Sequence, residues 1–207
     1  MSHDTWLHRI ARRTVRPLVH SPVTPNHLTS ARLLSGVGAA ACFAAGSAPW
    51  NLAGALLFVA SMLLDRADGE LARLQRSGSR FGALYDLWTD AICNVAVFLA
   101  LGIAAVHGFL DVWAVPAGLL AGISIGITFA LILAVDLRFG SGTMVFDARG
   151  GFDPDDAMLA VPLGVVAGFG DVLVLLAAVC APIAMVIVGL DVRRRWTRLV
   201  RAEHGAR

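Results

Sequence analysis

Four aspartates crowd one 26-residue window: Asp65 and Asp68, three apart, then Asp86 and Asp90, four apart. Those spacings put each pair on one face of a helix. Ala72 continues the first face and Gly82 begins the second. Between them "RLQRSGSR" is a polar loop with Gly78 and three Arg, which turns the chain back on itself. Two antiparallel helices then carry four carboxylates to one depth. Such a convergence is repulsive unless cations, either Arg or metal ions, lie among the carboxylates. Carboxylates without accompanying His or Cys suit a hard cation, Mg²⁺ or Mn²⁺. Two such ions can bind a diphosphate, offset charge on a leaving group and orient an incoming oxygen. Gly69 and Gly82 leave room for a ligand or a facing backbone. Arg73 offers a planar fork to a phosphate or carboxylate. The plain alternative, helix-end aspartates at a membrane interface, accounts for one such residue better than for four at these intervals.

The elements that must hold these residues are apolar. The chain has 207 residues, is 57% hydrophobic and has a mean hydropathy of +0.71, against roughly 45–50% apolar for a soluble domain. Apolar runs over 31–48, 50–68, 83–106, 112–136, 156–169 and 171–192 predict an all-α integral membrane protein with six transmembrane helices. The fifth run is short and the fifth and sixth are separated only near Gly168–Asp171, so a five-span reading also exists. Every basic side chain other than His is Arg. Arg clusters precede the first run, surround residues 66–80, recur at Arg138 and Arg149, and follow the last run, whereas the alternate connections hold none. By the positive-inside rule this places both termini and the aspartates on the cytoplasmic side, and requires an even number of spans. Charge of this kind suits an anionic bilayer surface and not nucleic acid.

Residues 1–20 are expected to form an amphipathic juxtamembrane helix. Arg9, Arg12, Arg13 and Arg16 fall within an arc of roughly 100°, opposite Trp6, Leu7, Ile10, Ala11 and Val15, and Pro17 ends the pattern. The second reading of that stretch is a solvated basic tail. Residues 21–195 would be the membrane domain, and 196–207 a basic cytoplasmic tail with Trp196 as an interface anchor. No apolar stretch typical of a cleavable signal precedes residue 31. Cys42, Cys93 and Cys180 are spread through apolar runs and read as packing residues.

Written as a pattern, the aspartate window is D-x2-D-G-x2-A-R-x8-G-x3-D-x3-D, with Asp65, Asp68, Gly69, Ala72, Arg73, Gly82, Asp86 and Asp90 at its fixed places. It resembles the signature of the CDP-alcohol phosphotransferases. "PNHLTSAR", Pro25 to Arg32, resembles the P-N-x-[LV]-T-x-x-R segment that opens the first span in that family. The last third of the chain matches no family-wide motif. The resemblance implies an enzyme that cleaves the diphosphate of a CDP-linked donor, passes the phosphoryl-bearing part to an alcohol and releases CMP. It implies two divalent ions, Mg²⁺ or Mn²⁺, on Asp65, Asp68 and Asp86. Asp90 would be the base for the acceptor hydroxyl, in reach of a metal, making Asp86 and Asp90 the catalytic pair. Asp65, Asp68, Gly69, Ala72, Arg73 and Gly82 would line the nucleotide site with Asn26 and Thr29. For the start of the first span, N-capping by Thr29 or Ser30 is an equally weighted reading.

The acceptor is less legible. The connection over 136–156 holds Arg138, Arg149 and five aspartates on the side of the carboxylates. Arg138 or Arg149 would bind an acceptor phosphate, or the whole segment is a solvated loop. The leading expectation is transfer of a phosphatidyl group from CDP-diacylglycerol to a small polar alcohol such as glycerol phosphate or an inositol phosphate. The reverse arrangement, a small CDP-alcohol with a lipid acceptor, uses the same metals. A transporter would need polar groups through the whole bilayer depth, and a dead scaffold has no use for four aspartates. The resemblance also implies a homodimer in a membrane, expected to be a bacterial inner membrane. Small-residue runs such as "GLLAGISIG" allow close helix contact within or between chains.

Overall fold

The computed structural model describes residues 12–139 and 158–205, with side chains through Arg198. Six α-helices of seven residues or more carry the described chain: α1 (Pro25–Ala44), α2 (Ala48–Gln75), α3 (Arg80–Ala104), α4 (Ala114–Phe139), α5 (Ala160–Val166) and α6 (Gly170–Gly205). No strand occurs among the described residues.

The first helix starts earlier than capping by Thr29 or Ser30 would have it. Extended Thr24 is the N-cap and Pro25 the first helical residue. Proline suits that position because its missing N–H would be unpaired there anyway. His27 Nδ1 accepts from the Thr24 amide at 3.2 Å. Thr29 and Ser30 therefore lie inside α1, and the Thr29 side chain is available to a neighbouring helix.

The α2–α3 turn is made by two devices. Arg76 caps α2 in the left-handed region, at φ 52°, and the Ser77 amide donates to the Ala72 carbonyl at 3.0 Å. Ser79 then caps α3, its Oγ accepting from the Gly82 amide at 3.0 Å. The short turn sets α2 and α3 antiparallel with their polar ends together. The apolar core lies toward the opposite end, where Phe43, Phe58, Val97 and Leu101 from α1, α2 and α3 meet Val165 and Val174.

Close backbone approach locks α4 onto α3. A methyl group at Gly122 would sit 2.7 Å from Val95 Cα, and one at Gly102 would sit 2.6 Å from the Ala114 carbonyl oxygen. Small residues at these crossings bring the helices into backbone contact, as in membrane helix pairs.

Four helical stretches are long and apolar enough to cross a bilayer: Ala48–Gln75, Arg80–His107, Asp111–Phe139 and Gly170–Arg198. They match the second, third, fourth and sixth expected spans. The first, α1, has 20 residues but carries Asn26, His27, Thr29, Ser30 and Arg32 in its first two turns. The fifth, α5, is described over 7 residues. Neither belongs to the four.

Of the expected N-terminal amphipathic helix, residues 12–20 are described. Residues 12–15 are helical and Arg16–Leu18 form a 3-10 turn. Val15, expected to face lipid, is 1% exposed. It packs on Ala67 and Leu71 of α2 together with Leu18, Val19, Val23 and Leu28. Over these residues the apolar face is used against protein. Trp6, Leu7, Ile10 and Ala11 lie outside the described residues. Trp196 meets Phe139 edge-on at 5.0 Å between centroids.

Candidate active site

Three helices converge on the carboxylates: α2 carries Asp65 and Asp68, α3 carries Asp86 and Asp90, and α1 supplies Thr29 and Arg32. Arg32 is the hub. Its Nη1 lies 2.7 Å from Asp65 Oδ1 and 2.6 Å from Asp86 Oδ1, and its Nη2 pairs with Asp90 Oδ1. It is 5% exposed. Thr29 Oγ1 donates to Asp68 Oδ2 at 2.7 Å. Each of the four aspartates thus has a partner on α1, which cross-links the first helix to the α2–α3 hairpin.

Arg32 is a site residue that the aspartate pattern does not single out, although it closes the "PNHLTSAR" segment. The available signal was the cost of an arginine two turns into an apolar helix, which demands a buried anionic partner. The expected need of the carboxylates for cations is met in part by this one guanidinium.

Ligand atoms of Asp65, Asp68 and Asp86 lie within 4.8 Å of one another. One guanidinium offsets one of four negative charges, and the donor atoms are all carboxylate oxygens. That donor set fits a hard divalent cation. It does not fit the nitrogen and sulfur geometry of a structural zinc site.

The carboxylates separate two cavities. The larger, about 400 Å³, opens at the polar end and is lined by Asn26, Thr29, Asp68, Gly69, Ala72 and Gly82, with Asp86 at its wall. Its size lies in the usual range for small-molecule sites, roughly 300–1,000 Å³. The smaller, about 80 Å³, lies further along the bundle and is lined by Arg32, Asp65, Arg66, Asp90, Asn94 and Phe129, among others. Asp68 and Asp86 thus face one cavity, and Asp65 and Asp90 the other.

The expected nucleotide residues are brought together with two exceptions: Asp65 lines the second cavity, and Arg73 lines neither. The Arg73 side chain is 68% exposed, with Nη1 3.8 Å from Glu70 Oε2. Its Nε donates to the Gly69 carbonyl at 3.3 Å, so it stands at the rim. Of the expected acceptor residues, Arg138 is exposed and lies over the Phe139 ring at 5.1 Å. It lines neither cavity. Arg149 lies outside the described residues. Buried Arg66 lines the Asp90 side.

A methyl group at Gly82 would meet Ser79 Oγ at 3.2 Å and Asn26 Oδ1 at 3.5 Å. A longer side chain would reach into the larger cavity. We expect Gly82→Leu to weaken CMP binding at least about tenfold, a loss of about 1.4 kcal/mol, because its side chain would fill cavity volume that the nucleotide needs. Titration of CMP into the purified protein checks this.

Comparison with known proteins follows the same lines. The model of the CDP-alcohol phosphatidyltransferase family matches residues 22–190. A CDP-diacylglycerol–glycerol-3-phosphate 3-phosphatidyltransferase of Cereibacter sphaeroides is 38% identical over 88 residues, 42% of this chain and 40% of that protein. A phosphatidylinositol phosphate synthase of Mycolicibacterium smegmatis is 33% identical over 94 residues, 45% of this chain and 41% of that protein. The matched stretch thus spans about two-fifths of the length of each relative. The crystal structure of the Mycobacterium tuberculosis phosphatidylinositol phosphate synthase with CDP-DAG bound superposes with a TM-score of 0.69 at 25% identity. The superposition covers 89% of this chain and 94% of that one.

Proposed function

Because this chain belongs to the CDP-alcohol phosphatidyltransferase family, we propose that it moves a phosphatidyl group from CDP-diacylglycerol to a small polar alcohol and releases CMP. The observation that carries this reading is the placement of the four carboxylates between two cavities. The donor's nucleotide occupies the larger one, on Asn26, Thr29, Gly69, Ala72 and Gly82. The acceptor reaches the carboxylates from the side of Asp90.

Asp65, Asp68 and Asp86 would hold the divalent ions, Mg²⁺ or Mn²⁺. When bound, such ions neutralise the diphosphate and make CMP a better leaving group. Asp90 takes the proton of the acceptor hydroxyl. The acceptor oxygen forms a bond to the phosphorus of the phosphatidyl group, and that phosphorus loses its bond to the bridging oxygen, which departs with CMP. Arg32 fixes Asp65, Asp86 and Asp90 in one arrangement, so that base and metal ligands stay in register.

Arg66, which lines the cavity on the Asp90 side, is the cation placed to meet the acceptor there. A guanidinium there favours an alcohol that carries a phosphate, such as glycerol phosphate or an inositol phosphate. The relatives named for such products support this class. Six spans with both termini cytoplasmic, and assembly as a homodimer in a bacterial inner membrane, complete the proposal. The donor's acyl chains then remain in the bilayer while its head group meets the metals.

The test is CMP release and lipid product from the purified protein with CDP-diacylglycerol, Mg²⁺ or Mn²⁺ and a panel of alcohols and phosphoalcohols. Turnover with a phosphoalcohol, and an Arg66→Gln variant whose KM for it rises at least about tenfold, are the expected results. Turnover only with a small CDP-alcohol and a lipid acceptor would reverse the direction proposed.

A further inference from the structure

Glu70 follows Gly69 on α2 but faces away from both cavities. Its side chain is 6% exposed, and Arg12 Nε lies 2.6 Å from its Oε1. A buried carboxylate needs cationic partners, and Arg12 is the nearer of two, since Arg73 Nη1 lies 3.8 Å from the other carboxylate oxygen. The same stretch of chain is tied to α2 twice more. Val15 packs on Ala67 and Leu71. The Gln75 side-chain amide lies 3.4 Å from the Val19 carbonyl and 3.1 Å from that of Val23. Immediately afterwards Thr24, Pro25 and Asn26 form a wall of the larger cavity, facing Gly69 and Ala72.

Residues 12–23 therefore run from the back of the helix that supplies one wall to the start of the helix that supplies the other. We propose that this segment is a strap setting the width of the larger cavity, latched by Arg12 and Glu70, which act as positioning residues for the nucleotide half of the donor. The proposal rests on the transferase reading above.

The latch touches neither the carboxylate cluster nor the side from which the acceptor enters. Opening it lets the α1 entrance and the Gly69 turn drift apart, which weakens contacts to the nucleotide. Asp90 is held separately, by Arg32, so the chemical step is left in place. The signature is a rise in KM for the CDP-linked donor, and in Kd for CMP, with kcat unchanged. A merely structural ion pair would lower the thermal midpoint without that split.

The experiment uses the full chain in detergent or nanodiscs, with CMP and Mn²⁺ as the binding probe and CDP-diacylglycerol turnover with whichever acceptor supports it. Glu70→Gln and Arg12→Ala are expected to weaken CMP binding and raise donor KM about tenfold, within the usual range for coupled contacts, with kcat within about twofold of the parent. Arg12→Lys keeps the charge and should stay near the parent. The exchange Arg12→Glu with Glu70→Arg should recover most of the loss of either single charge change. Parent-like CMP binding in folded Glu70→Gln and Arg12→Ala, or a fall in kcat at unchanged KM, would overturn the strap. If the parent itself neither binds CMP nor releases it from any CDP-linked donor, the transferase reading fails, and the strap with it.

Discussion

Asp90→Asn is expected to lower kcat by about 10²–10⁴-fold, the range typical of losing a positioned general base, while CMP binding persists. The amide keeps the shape of the carboxylate but has no basicity, so the acceptor hydroxyl keeps its proton. Binding should survive because Asp90 lines the smaller cavity and not the one that takes the nucleotide. Asp68→Asn provides the contrast. Asp68 lines the larger cavity and belongs to the group of three carboxylates that can hold a metal. Its variant should lose metal-dependent CMP binding as well as turnover. Single-turnover CMP release and CMP titration, run on both variants, separate the two roles. Turnover of Asp90→Asn within tenfold of the parent would remove Asp90 as the base.

The hairpin that carries the aspartates was legible because helical periodicity does two jobs at once. Intervals of three and four fix both the secondary structure and the face, and a polar Gly-containing break can only be the turn. The details of that turn were not legible. Arg76 adopts the left-handed conformation two residues before a glycine better suited to it, a choice made by the turn's hydrogen bonds and not by local preference. The position of the α1 cap was not legible for a related reason. Thr24, Thr29 and Ser30 are all competent caps, and what separates them is tertiary: Thr29 is drawn into the site by Asp68.

Arginines were harder still to place. Their long stems let the head group reach several sites from one backbone position, so motif membership does not say where the charge ends up. Arg73 belongs to the signature and stands at the rim. Arg32 also sits in a motif, yet holds three carboxylates. Arg12 falls by periodicity on the charged arc of its segment, opposite the apolar face, and its head group pairs with Glu70, whose burial no local pattern announces. Long-range pairing of this kind is a property of the packed bundle, and it decides which of many charges become part of the site.

Arg32→Gln should therefore have a larger effect than loss of any arginine at the surface. The substitution leaves Asp65, Asp86 and Asp90 without their shared guanidinium in a site where Arg32 is 5% exposed. Breaking a buried ion pair costs about 3–5 kcal/mol. Exposed pairs such as Arg195 with Asp191 contribute about 0–1 kcal/mol. The expected result is a thermal midpoint well below the parent's in the presence of chelator. Added Mn²⁺ or Mg²⁺ should then recover more stability in the variant than in the parent, because divalent charge binds the folded cluster and offsets the repulsion that glutamine leaves. Arg32→Lys should fall between the two. An ammonium keeps the charge but lacks the planar fork that reaches Asp86 and Asp90 from different nitrogens. Thermal unfolding of the three proteins across a metal titration is the measurement. Equal metal responses in parent and Arg32→Gln would mean that the guanidinium and the ions do not share one charge balance, and the account of the cluster as a joint Arg-and-metal site would fall. Unequal responses with turnover lost even at saturating metal would mean that Arg32 also sets the geometry in which Asp90 meets the acceptor, a task an ion cannot take over.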